Sequence, residues 1–169
     1  MRPAAQSSSA TKQAAEPRLY AGLPTDSMKR HPALAFLSRD HHHTLVIALR
    51  LHRATGSTAP DIVREFREYW VTDERLHFRV EEELLLPTYA AYGDPSDPAI
   101  IRMLVDHILI RRDATRLGCA PQPELLRELG TRLRGHVHLE EHSVFPLIEE
   151  TLPEHELEAL KERIQKRYR

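Results

Sequence analysis

The sequence predicts an all-α fold: an antiparallel up-down-up-down four-helix bundle with a short C-terminal helix. Three observations predict it. Apolar residues recur at helical spacing through four long segments, and short stretches rich in Gly, Pro, Ser or Asp separate them. One chemical motif is also written twice, in the second and fourth segments. The first copy runs from His77 through Glu81, Glu82 and Glu83 to Pro87, and the second from His136 through Glu140 and Glu141 to Pro146. In both, a glutamate follows the histidine by four residues, a second glutamate comes next, and a proline stands ten after the histidine. Four residues is close to one helical turn, so imidazole and carboxylate stack on one face as half of a metal site.

Composition narrows the function classes. The chain has 169 residues, enough for one domain with a sizeable core, and its charges nearly cancel, Lys+Arg 24 against Asp+Glu 25. No global field therefore points to nucleic acid or an anionic membrane. Cys119 is the single cysteine, which excludes an internal disulfide and a cysteine zinc site and fits a reducing compartment. Apolar runs such as residues 45–49 are far too short to span a membrane, and no secretory signal is legible, so a cytoplasmic location is expected. Histidine, at 11, is the anomaly, because several copies sit inside apolar helical patterns.

Residues 1–30, rich in Ala, Ser, Pro and Gln, hold too few large aliphatics to offset the entropy of ordering and are expected to form a disordered tail, with Met28 an alternative start. The folded domain is expected over 31–169. Helix 1 should begin near His31 and Pro32 and run to about Arg53. At about 100° per residue, Leu34, Leu37, Leu45 and Ala48 cluster around His41, which makes His41 the inward member of the run His41, His42, His43. Helix 2 opens after Ala59, Pro60 and Asp61 and carries the column Phe66, Trp70, Asp73, His77, Glu81, Leu84. Polar groups stacked within a core column are costly unless each finds a partner, which a metal supplies. Pro87 is expected to kink or end this helix near Tyr92.

Helix 3 follows Asp97 and Pro98, ends at Gly118, and places His107 amid Ile100, Met103, Leu104, Ile110, Ala114 and Leu117. Helix 4 starts near Gln122 and Pro123 and presents Leu125, Leu129, Leu133, His136, Glu140 and Leu147. The last helix, from about Glu154, has acids first and bases last, matching its dipole. Asp40-His41 on helix 1 is echoed by Asp106-His107 on helix 3. Two helix pairs would thus converge about a pseudo-twofold axis, each giving one His from its first helix and a His and Glu from its second.

Four imidazoles and two carboxylates suit a pair of first-row metals with bridging carboxylates and free positions for water, dioxygen or another small ligand. At these residues the chain resembles the hemerythrin-like, or HHE cation-binding, family. The resemblance covers roughly residues 31–165 and rests on the Asp40-His41 opening, both His-x-x-x-Glu-Glu motifs with their prolines, and the Asp106-His107 echo. It implies a non-haem di-iron centre, Fe2+ or Fe3+, with an oxo or hydroxo bridge; imidazole and carboxylate do not choose sharply among such ions, so zinc or manganese could occupy the same groups. The implied ligands are His41, His77, Glu81, His107, His136 and Glu140. It also implies roles in dioxygen binding, oxygen or iron sensing, iron handling or redox response. The oxygen carriers of the family have two histidines one turn apart on helix 3. Here Met103 precedes and Arg111 follows His107 by four, which shifts the expectation from reversible carriage to sensing, redox reaction or iron handling.

Around these ligands, Glu82 and Glu141 lie about 140° from the ligand column and are expected on a solvated face. Asp73 is a candidate for orienting a ligand, or for an ion pair with Arg111 or Arg132. Arg111, about 40° from His107, is expected beside the site, near the metals or paired with Asp73 or Glu140. Two rival readings exist: a helical interaction module with a structural metal, and a zinc-protease-like site at His138, Glu141 and His142, whose histidines point away from the apolar face.

Overall fold

The computed structural model describes residues 30–119 and 122–168, apart from the side chains of Gly118 and Cys119. The expected tail and alternative start therefore lie outside the described residues, except Arg30. The Arg30 guanidinium bonds Glu141 and Glu149, so it belongs to the folded part. The described residues form five helices and no strand. α1 is Ala35–His52, α3 is Pro98–Cys119 and α5 is Glu154–Arg167. α2 spans 59–90 and α4 spans 123–151, both continuous but not uniform. No helix among the described residues is long and apolar enough to cross a membrane.

The non-uniformity is a π turn where an extra residue is accommodated. α2 contains two, Trp70–Glu74 and Glu81–Leu85, and α4 contains one, Glu140–Val144. The last two are homologous: each begins at the first glutamate of its motif and ends two residues before the proline. A proline inside an α-helix lacks the donor for the i−4 carbonyl and its ring collides with that carbonyl; a wider turn before it relieves both. Pro87 and Pro146 accordingly sit just beyond a π turn that re-registers their helices, and the helix carrying Pro87 ends at Ala90, close to the expected end near Tyr92.

Neighbouring helices meet along rungs whose numbers run in opposite senses. Ser38 bonds Glu141 and His52 contacts Thr131, tying α1 to α4. Arg50 pairs with Glu65 and Asp40 with His77, tying α1 to α2. Asp113 meets Arg132 and His107 meets Glu140, tying α3 to α4. Two apolar clusters lie on either side of this middle zone. One joins Leu34, Leu37, Leu85, Met103, Phe145 and Ile148 to Leu157, Leu160 and Ile164 of α5. The other joins Ile47, Leu51, Phe66, Phe78, Leu129 and Leu133.

α1 and α4 approach closely at Gly130. A Cβ there would stand 2.5 Å from the Ala48 carbonyl oxygen and 2.8 Å from the His52 nitrogen, both backbone atoms that cannot swing aside. Gly130→Ala is therefore expected to cost about 3 kcal/mol and to lower the thermal midpoint by about 6–12 °C, measured by circular dichroism. An unchanged midpoint would mean that the two helices separate freely.

Candidate metal centre

Between the two apolar clusters the four long helices each turn a histidine inward. α1 supplies His41, α2 His77 with Glu81, α3 His107, and α4 His136 with Glu140; all six are buried, none more than 3% exposed. Their atoms form two overlapping groups, His41, His77, Glu81, Glu140 and Glu81, His107, His136, Glu140, each with its potential ligand atoms within 4.8 Å of one another. Both carboxylates belong to both groups.

The oxygens are divided between them. Glu81 sends Oε1 to His77 Nε2 at 3.1 Å and Oε2 to His107 Nε2 at 3.3 Å. Glu140 sends Oε2 to His41 Nε2 at 3.0 Å and Oε1 to His136 Nε2 at 3.0 Å. Six of the atoms that face one another, both oxygens of Glu81 and of Glu140 and the Nε2 atoms of His107 and His136, have no hydrogen-bond partner among the described residues. Buried polar atoms without partners are costly, and two carboxylates with no bonded donor are more so. A donor set of imidazole nitrogens and carboxylate oxygens converging in this way fits divalent first-row cations.

Behind the imidazoles stands a second ring of carboxylates. His41 Nδ1 donates to Glu141 Oε1 at 2.6 Å and His107 Nδ1 donates to Glu82 Oε1 at 2.7 Å. His77 Nδ1 approaches Asp40 Oδ2 at 3.4 Å. A carboxylate can only accept, so Nδ1 holds the proton and Nε2 keeps its lone pair for a metal. Glu141 is itself fixed by Ser38 and Arg30, and Glu82 by the two-pronged grip of Arg111, at 2.7 and 2.9 Å. Glu82 and Glu141 are thus not on a solvated face. The side 140° from the ligand column is where the neighbouring helix packs, and a glutamate is long enough to reach across that seam.

Charge follows geometry. Burial works against a charged His41, but the close approach of Glu140 and the bond to Glu141 outweigh it and raise its pKa to about 9. His107, facing Glu140 and Glu81 and bonded to Glu82 against the same burial, rises to about 10. His77 is raised as well, Glu81 opposing its burial. Glu82 and Glu141 fall to about 2 despite burial, through His107 and Arg111 in one case and His41 and Ser38 in the other. Glu140 is held well below the usual carboxylate range because His136, His107 and His41 outweigh its burial. Without metal, protons on imidazole take the place of cations.

Asp73 is not beside the cluster. It is half exposed and pairs with His43 at 3.0 Å, and the buried residue of that turn is Glu74, bonded to Tyr69 and Thr44. The π turn Trp70–Glu74 inserts one residue into the column, so the position that a regular helix gives to Asp73 falls to Glu74. Arg111 pairs with neither Asp73 nor Glu140; it holds Glu82 and lies 5.2 Å over the Phe78 ring. His138 and His142 stack on the exterior at 4.0 Å while Glu141 turns inward to His41, so the three do not converge as a protease site would require. A cavity of about 170 Å³ lined by Asp40, Thr44, Tyr69, Glu74, His77 and Tyr168 opens beside His77.

Comparison with known families agrees with this geometry. Residues 33–148 match the model of the hemerythrin HHE cation-binding domain, a span that holds all six buried ligand candidates. No curated protein matches the chain.

Proposed function

The chain belongs to the hemerythrin HHE cation-binding family, and from that premise we propose that the cluster is a non-haem di-iron centre in an antiparallel four-helix bundle. One iron position would take His41 and His77, the other His107 and His136, with Glu81 and Glu140 shared. The observation that carries this reading is the division of each carboxylate, one oxygen toward each histidine pair. Iron held this way supplies one-electron redox chemistry and open positions for dioxygen or another small ligand.

The chain's own part is to present neutral imidazoles with fixed tautomers, through Glu141, Asp40 and Glu82, and to exclude bulk water with the flanking apolar clusters. The cavity beside His77 supports access for a small ligand. Among the described residues α3 turns only His107 into the cluster, since Met103 is packed into the core and Arg111 is occupied by Glu82. Fewer nitrogen ligands favour oxidation over reversible carriage, and the function is sensing, redox reaction or iron handling in place of oxygen transport.

Mixing the reduced, iron-loaded protein with air should convert it irreversibly to the ferric form, followed by visible absorption and by counting electrons on re-reduction. A spectrum that appears with air and vanishes on restoring anaerobiosis, with no electrons lost, would make it an oxygen carrier. Protein that takes up zinc but never iron would make the metal structural.

A further inference from the structure

Among the described residues, three of the four inward histidines have a carboxylate behind them, and the fourth has nothing. His136 Nδ1 is buried with no hydrogen-bond partner. The pseudo-twofold relation of the two helix pairs says which residue should serve it. Asp40 precedes His41 on α1 and faces His77 Nδ1 on α2. Its counterpart, Asp106, precedes His107 on α3, and the counterpart of His77 is His136 on α4. Asp106 is 2% exposed, and its Oδ1 is also buried without a partner. Its other oxygen accepts from Arg102 Nε at 3.1 Å, which holds the carboxylate in place and leaves Oδ1 unused.

No direct hydrogen bond joins the two orphans. Between α3 and α4 lies an open groove of about 750 Å³ whose lining includes Asp106, Arg132, Gly135 and Ser143. A Cβ at Gly135, the exposed residue before His136, would meet nothing within 4 Å, so the groove is open there. The groove reaches Asp106, and a buried donor and a buried acceptor left without partners on adjoining helices are the setting in which a bridging water is held firmly.

Resting on the metal-centre reading above, we propose that Asp106 is the positioning residue for His136, accepting its Nδ1 proton through one water admitted from the α3–α4 groove. His136 Nε2 is then fixed toward the metal as the other three imidazoles are. Asp106 acts only on the metal position served by His107 and His136, and Asp40 only on that served by His41 and His77. Removing such an outer carboxylate commonly lowers metal affinity about 10–100-fold.

The test uses the full chain loaded with cobalt(II), whose paramagnetism shifts each ligand Nδ1–H proton into its own exchangeable NMR signal. The parent protein should bind two cobalt ions and show four such signals. Asp106→Ala should bind one ion with parental affinity and the second about 10–100-fold more weakly, with the His136 signal lost to solvent exchange. Asp106→Asn, which keeps an acceptor, should restore the signal and part of the affinity. Asp40→Ala should disturb the His77 signal instead. Two ions bound as tightly as in the parent, with four unchanged signals, in a folded Asp106→Ala protein would overturn the assignment. So would a metal-loaded crystal structure with His136 Nδ1 bonded to another group. Fewer than two ions in the parent would sink the metal-centre reading and this inference with it.

Discussion

Alanine at Glu81 or Glu140 should empty both metal positions together. Each carboxylate serves both histidine pairs, so deleting one removes a ligand from each position and half the anionic charge that offsets two cations. The remaining imidazoles would face two dications across a few ångströms with a single shared carboxylate. The expected metal content falls from two per chain to well below one, measured by elemental analysis after gel filtration. Glu81→Gln and Glu140→Gln, which keep the shape but not the charge, should fall nearly as far. Alanine at Glu82 or Glu141 should act less, lowering affinity about 10–100-fold while two ions still bind at saturation. A Glu81→Ala protein that retains one tightly bound ion would mean that the carboxylates are not shared.

Metal uptake should expel protons and strengthen steeply with pH. His41 at about 9 and His107 at about 10, with His77 raised too, are protonated at neutral pH in the metal-free protein. Each must lose a proton to bind a metal, so filling both positions at pH 7 releases about two to three protons and the overall binding constant climbs roughly 100-fold or more per pH unit. Calorimetry in buffers of different ionisation enthalpy reads the number released; a value near zero would contradict the assignment of these imidazoles. The stability of the metal-free protein runs the other way. A histidine with a raised folded pKa contributes fully below its unfolded value of 6.5 and loses that contribution as pH rises through 9 to 10. Glu82 and Glu141, lowered to about 2, contribute above 4.5 and cease to as pH falls toward 2.

The helices and the six inward residues were legible because regular helix carries a fixed period. The four-residue step from His77 to Glu81 and from His136 to Glu140 ends at the first residue of a π turn, before any change of register takes effect. Asp73 was misplaced because the step that positions it crosses the π turn at Trp70–Glu74, and nothing in the local residues announces an inserted residue there. Glu82 and Glu141 were misplaced for a different reason. Angle around one helix says where a side chain starts, not whether another helix waits in that direction. The repeated pairing Glu81-Glu82 and Glu140-Glu141, set against Asp40-His41 and Asp106-His107, was the available signal: each half of the site needs an acid for its bridge and acids for its histidines. Arg111 follows from the same miss, since its partner is Glu82.

The central claim is two metals sharing Glu81 and Glu140. Anomalous diffraction at the iron edge from iron-loaded crystals tests it most directly. Two peaks about 3.5–4 Å apart are predicted, one beside His41 and His77 and one beside His107 and His136, with both glutamates between them. A single peak, or peaks away from these four histidines, would contradict it.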